Sequence, residues 1–249
     1  MKTTKSKQQQ TQRLILQATV DLMTEHGFDS ASMKQIARAA GIGDATIYKY
    51  FPTKEKLVLG YFEQSVNDAI AATLATKDFD SYMLQERLQR LVDAWLEILL
   101  GDREFVAVAR ELVGKSPTLM MGDALPGKLA IKQQVVAFLD AAESAGGIAP
   151  CDFKPLIGGL FADYLLAVIV YWLNDNSDEF ADTTRLVDLT LALLVQTLES
   201  GLLNKLSDLA GFLLRSQLAR LMQNGSALLD LVQLARPLMR EPKVASHGA

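Results

Sequence analysis

The sequence predicts an all-α protein. Apolar residues recur at the i, i+3, i+4, i+7 spacing of helices in one long segment after another. No alternating strand pattern runs beyond a few residues. Start and stop signals, from Ser32 with Gln35 to Ala145-Gly146-Gly147, divide the chain at helical intervals.

The first helix is expected over about Gln8 to His26, with Leu14, Ile15, Ala18 and Leu22 as its inner stripe. Gly27 ends it, and His26 in its last turn suits the negative end of the helix dipole. Residues 1–10 lack apolar periodicity and are expected to be a disordered, solvated tail carrying Lys2, Lys5 and Lys7. The second helix places Met33, Ile36, Ala37 and Ala40 on one face, and Ser32 with Gln35 fits a capping box at its start. Gly41 supplies the tolerance for positive φ that the helix end needs, and Ile42 plugs the turn. Gly43 or Asp44 restarts the chain as an N-cap, and Ala45 to Phe51 forms a third, short helix. Its inner contacts are Ile47, Tyr50 and Phe51, which leave Thr46, Tyr48 and Lys49 pointing elsewhere. Two helices joined by a turn containing Gly form the helix-turn-helix unit, whose second helix enters a DNA major groove.

Pro52 stops the third helix and Thr53 caps a fourth, about Lys54 to Ala75, with Leu57, Tyr61, Phe62, Val66 and Ile70 facing inward. It is the covalent lever between head and body. A fifth helix spans about Asp80 to Leu100, closed by Gly101, and Asp102 caps a sixth that ends before Pro117. Pro117 to Gly127 reads as an irregular connection. A seventh helix runs to Ser144, an eighth covers about Lys154 to Asn174, and a ninth about Ala181 to Ser200. In the ninth, Val187, Thr190, Leu191, Leu194, Val195 and Leu198 form one apolar stripe and Leu186, Leu189 and Leu193 a second. One stripe needs the domain's own core, the other a second subunit. Further helices are expected within residues 202–239, with Leu206, Leu209 and Leu213 at helical spacing, Gly225 as a break and Ser226 to Met239 as the last.

Of the 249 residues, 49% are hydrophobic and 22% charged, the balance of a globular protein with a real core. The single cysteine, Cys151, excludes an internal disulfide and fits a reducing, cytoplasmic setting. With only His26 and His247 beside it, no zinc cluster is expected, and no cofactor. Residues 27–246 contain no histidine for a nucleophile triad, and no GxxxxGK[ST] phosphate loop is present, so no enzyme is expected. No apolar signal region follows the Lys, Thr and Gln-rich start. The most apolar run, Pro155 to Leu173, is interrupted by Asp163 and reads as a buried helix rather than a membrane span. Charge is uneven. Residues 1–56 hold nine Lys/Arg against five Asp/Glu, and the rest holds sixteen against twenty-four. A basic head on an acidic body turns the head toward a polyanion.

At Thr11 to Leu57 the chain resembles the DNA-binding domain of the TetR-type transcriptional repressors. The matching residues are Ile15 to Gly27 followed by Phe28, the run Ser32 to Ala40, GIGDATIYKYF and PTKEKL. The resemblance implies an all-α fold: a three-helix helix-turn-helix head plus a larger helical ligand-binding and dimerisation domain. It implies a homodimer that binds near-palindromic double-stranded operator DNA and meets a four-helix dimer interface near its C-terminal end. The expected boundaries are 1–53 for the head, 54–240 for the body and 241–249 for a disordered tail.

The candidate DNA contacts are Ser32, Lys34, Asp44, Thr46, Tyr48, Lys49, Tyr50 and Lys54. Thr46 and Tyr48 divide a base edge and a phosphate between them, while Lys49 reads guanine or binds phosphate. Tyr50 is shared between core and phosphate, and Ser32 and Lys54 flank the groove as phosphate anchors. Relatives often carry a basic or polar residue where Asp44 stands and Ser where Gly43 stands. Asp44 is therefore either a cap facing away from DNA or an acceptor for a cytosine amine. Its charge motivates an alternative, a helical ligand- or partner-binding protein with a degenerate head. For a small, hydrophobic effector the candidates are Trp95, Phe105, Met120, Met121, Phe138, Phe161 and Tyr164, lining a space between the fifth to eighth helices or filling the core there.

Overall fold

The computed structural model describes the backbone of residues 2–114 and 127–223, and side chains within 6–111 and 127–216. Among these residues the structure is all-α, with ten helices and no strand. They are α1 (Lys2–Ser30), α2 (Met33–Ala39), α3 (Asp44–Tyr50), α4 (Lys54–Leu74), α5 (Leu84–Leu100), α6 (Arg103–Gly114), α7 (Lys128–Ser144), α8 (Lys154–Asn174), α9 (Ala181–Glu199) and α10 (Leu202–Gln223). The chain divides into two compact units, one through Ser200 and one from Gly201. The expected connection around Met120 and Met121, the last helix 226–239 and the tail lie outside the described residues.

In the first unit, Gly27 breaks α1 at φ +78°, where the sequence places the helix end. The start of α1 differs from expectation, because the helix continues outward to Lys2 instead of giving way to a disordered tail. Lys, Thr and Gln include no helix breaker, and extending a helix already nucleated by Ile15, Ala18 and Met23 costs little per residue. The fifth helix also starts later than predicted. The chain first makes a 3-10 turn, Phe79–Ser81, and α5 begins at Leu84 with Glu86 accepting from the Met83 backbone N–H at 2.7 Å. Buried Phe79 sets this delay by packing against Phe138 of α7, with ring centroids 5.6 Å apart.

α4 packs along α5, α1 touches α6, and α5 is also covered by α7 and α9. α7 and α8 lie closely together at Gly158, where a Cβ would stand 2.8 Å from the Lys132 carbonyl oxygen. α8 is long and apolar enough to cross a membrane. One face, with Ile157, Phe161, Leu165, Val168, Ile169 and Trp172, is buried within the unit. Asp163, which interrupts the apolar run, is exposed and ion-paired with Lys128 at 2.6 Å. The two stripes of α9 separate in part: Val187, Leu191, Val195 and Leu198 are buried, Leu189 and Leu193 remain 59% and 66% exposed, and Thr190 and Leu194 of the first stripe and Leu186 of the second are half-buried between them. Leu156, Leu160 and Tyr171 of α8 are exposed too.

The turn between α8 and α9 is closed by the buried carboxylate of Asp175. One oxygen accepts from the Ser177 backbone N–H at 2.8 Å and its hydroxyl at 2.6 Å. The other accepts from the Thr183 backbone N–H at 2.8 Å and its hydroxyl at 2.5 Å. These donors, Ser177 first and Thr183 next, hold the carboxyl well below the usual carboxylate range. A group whose folded pKa is depressed contributes stability above its unfolded pKa and loses it as pH falls toward the folded value. Asp175→Asn, which sets an amide N–H₂ against two of these four donors and removes the charge from the other two, is expected to lower the Tm by several degrees at pH 7. The gap to the parent protein narrows below about pH 4, the unfolded aspartate value. Thermal melts across that range check both.

In the second unit, α10 exposes Leu202, Leu206, Leu209 and Leu213 at the 4-3-4 spacing of one helical stripe.

Candidate nucleic-acid interface

The head is built as its sequence directs. The Ser32 hydroxyl accepts from the Gln35 backbone N–H at 3.3 Å, and Gln35 Oε1 accepts from the Ser32 backbone N–H at 2.9 Å, completing the capping box. Gly41 turns the chain at φ +69°. Gly43 is the N-cap of α3, which leaves Asp44 as the first helical residue, exposed, its carboxylate favourable at the positive helix end. Ile47 is fully buried, and Phe51, the C-cap, is buried behind it. These two anchors fix which way α3 faces. Tyr48, one residue on from Ile47 and so about 100° around the helix, is 48% exposed. Lys49 is exposed, and Thr46 and Tyr50 are half-buried at the edges of that face.

Ser32, Lys34, Asp44, Tyr48 and Lys49 thus reach solvent, with Thr46 and Tyr50 partly accessible. Lys54 is different. Its ammonium is turned back onto α1, donating to the Phe28 carbonyl at 2.6 Å and the Asp29 carbonyl at 3.1 Å.

Two features that periodicity misses hold the head on its lever. Gly60 of α4 lies against the Phe51 ring, and a Cβ there would fall 2.4 Å from Cε1. A glycine inside an otherwise good helix was the available signal. The inner face of α4 is tied to the body by two hydrogen bonds: Tyr61 Oη donates to Asp102 at 2.8 Å, and Trp95 Nε1 donates to Ser65 Oγ at 2.9 Å. Burial, with Asp102 adding to it, raises the Tyr61 phenol well above its ordinary range, so it stays a donor. Spacing along the chain carries no trace of such pairs.

Of the effector candidates, Trp95, Phe105, Phe138 and Phe161 are buried core side chains. Tyr164 is half-buried, with its hydroxyl 2.6 Å from Thr190 Oγ1 and its ring 5.5 Å from that of Phe161. Met120 and Met121 lie outside the described residues. Phe105 also borders a cleft of about 670 Å³, together with Val20, Leu100 and Leu173, and with Asp21, Glu25, Asp102 and Glu104 among its polar lining.

The family model described as bacterial regulatory proteins, tetR family, matches residues 15–61. That for the tetracyclin repressor-like C-terminal domain matches residues 87–213. The HTH-type transcriptional regulator RutR of Escherichia coli K12 is 26% identical over 155 residues, 60% of this chain and 70% of RutR. The fatty acid metabolism regulator protein of Bacillus subtilis is 26% identical over 96 residues, 39% of this chain and about half (49%) of that relative. Among solved structures, Salmonella enterica GusR superposes with a TM-score of 0.56 at 22% identity, covering 76% of this chain and 95% of that one. The fatty acid degradation regulator FadR of Bacillus halodurans gives 0.52 at 22% identity, covering 76% and 94%. The C-terminal match alone spans just over half of the chain, the N-terminal one contains the helix-turn-helix, and the protein belongs to the tetR family of bacterial regulatory proteins.

Proposed function

We propose that this protein is a cytoplasmic, homodimeric repressor that binds a near-palindromic operator and leaves it when a small effector binds the body. One observation carries the reading: α3 is held from behind by Ile47 and Phe51, with Tyr48 and Lys49 on its open side. In the dimer, two such helices about 34–36 Å apart, or a multiple of that, read successive major grooves. Lys49 and Lys34 supply the phosphate and guanine contacts, Thr46 and Tyr48 the neighbouring base edge and phosphate, and Ser32 and Tyr50 the flanks. Asp44, exposed in the first turn of α3, is the candidate acceptor for a cytosine amine. The exposed leucines of α8 and α9 suit the subunit interface.

We take the cleft beside Phe105 as the effector's site, a reading supported by a volume in the small-molecule range. The effector's apolar part meets Leu100 and Leu173, which lie over the buried Phe105 and Val20, and the four carboxylates, which outnumber Arg103 in that lining, disfavour an anion. Entry there acts on the end of α5 next to Asp102, the partner of Tyr61 on α4. A coupling of about 1–3 kcal/mol is enough to shift the operator-bound population.

Selection of bound DNA from a random pool tests the reading. A two-fold-symmetric consensus is expected, with affinity falling steeply in salt. Lys49→Met should weaken operator binding and flatten the slope of log K against log[salt] by about one. A pool that yields no consensus would leave the alternative, a helical ligand- or partner-binding protein with a degenerate head.

A further inference from the structure

We infer that Lys54 is a positioning residue of the DNA-binding head, a clamp on the end of α1, and not a phosphate ligand. The inference rests on the DNA-binding reading above but makes a separate claim about the free protein. An ammonium has three donors. Two of those on Lys54 are committed to the carbonyls of Phe28 and Asp29, at 2.6 and 3.1 Å. The same group stands 4.6 Å from the centroid of the Phe28 ring, within reach of its negative face. These carbonyls follow Gly27, where α1 breaks, and the end of a helix carries negative partial charge that a cation relieves. The ammonium is therefore solvated by the protein itself.

The clamp joins residues 26 positions apart, across the whole helix-turn-helix. Thr53 caps α4 by accepting from the Lys56 backbone N–H at 3.3 Å, which fixes the turn from which Lys54 departs. The start of α4 is thereby locked to the end of α1, and α2 and α3 are enclosed between them. The body uses the same device. Arg103, the first residue of α6, donates to the Leu173 carbonyl at the end of α8 at 3.0 Å and lies over the Trp172 and Phe180 rings. Swinging Lys54 out to a phosphate would strip both carbonyls of a charged donor. Lys34 and Lys49 are exposed, have no ion pair or hydrogen bond among the described residues, and meet a phosphate without that loss.

The test compares Lys54→Met, which keeps the apolar stem, with Lys54→Arg, which restores a cation, and with Lys49→Met. Hydrogen exchange is read in the free protein over residues 27–36. Operator affinity is read across a salt series. Lys54→Met should speed exchange there about ten-fold, the scale of one lost charged hydrogen bond. It should weaken operator binding while keeping the parent salt slope. Lys54→Arg should return exchange close to the parent rate, and Lys49→Met should lower the slope by about one. A slope lowered by about one in Lys54→Met would overturn the clamp whatever the exchange shows, as would unchanged exchange whatever the slope. If the parent protein binds no DNA, the function falls, and the exchange experiment still judges the clamp.

Discussion

Replacing Leu189 and Leu193 together by aspartate is expected to leave a folded monomer that no longer holds its operator. Both side chains are mostly exposed on α9, opposite the buried stripe of Val187, Leu191 and Val195, so the substitution touches no core contact within the subunit. A buried leucine is worth about 1.5–3 kcal/mol relative to an exposed one. A two-fold axis uses each position twice, so the lost burial is doubled and like charges are brought together. The dimer dissociation constant should rise by more than about a thousand-fold, since each 1.4 kcal/mol is a factor of ten. Sedimentation at micromolar concentration reads the mass directly, and operator binding should fall with it, because one head reaches only one half-site. Leu74→Asp, at an exposed leucine closing α4, is the control and should stay dimeric. A double aspartate variant that sediments as a dimer would move the interface off α9.

Gly60→Ala should lose operator affinity by at least about ten-fold and lower the melting temperature. Two effects compete. Alanine within a helix is favoured over glycine by about 0.5–1 kcal/mol. Against that, the new Cβ would stand 2.4 Å from Cε1, 3.2 Å from Cζ and 3.4 Å from Cδ1 of Phe51, when carbon atoms rest at about 3.5–4.0 Å. Overpacking of this kind costs about 1–3 kcal/mol. The Phe51 ring is buried, so turning it away disturbs packed neighbours, and the steric term wins. Phe51 ends α3, and its displacement carries Tyr48 and Lys49 with it. A smaller side chain at 51 removes the collision, so Gly60→Ala with Phe51→Leu should recover part of the affinity lost by Gly60→Ala alone. A single alanine variant that melts higher and binds normally would mean that the ring moves without moving α3.

The head was the most legible region, because its devices are local. A capping box needs two residues three apart, a helix end needs a glycine, and a recognition helix of seven residues needs one apolar anchor at Ile47 and a second just past its end. Each was readable from the chain, and each is in place. The start of α1 and the start of α5 were misread for opposite reasons. The first segment lacks apolar periodicity yet extends a helix nucleated further along. The second has helical composition, but Phe79 is drawn into a contact with Phe138, far away in sequence.

Sequence alone determined the all-α class, the helix-turn-helix and the two-sided character of α9, since periodicity, turn chemistry and capping act between residues a few positions apart, and its matching residues alone carried the resemblance to the family. Tertiary structure alone decided what Lys54 grips, why Gly60 is a glycine, which partner Tyr61 takes, and that most of the described aromatic candidates are packed as core. Those outcomes depend on distances between helices. Side chains far apart in the chain must first be brought within 3–4 Å before a hydrogen bond or a collision exists between them.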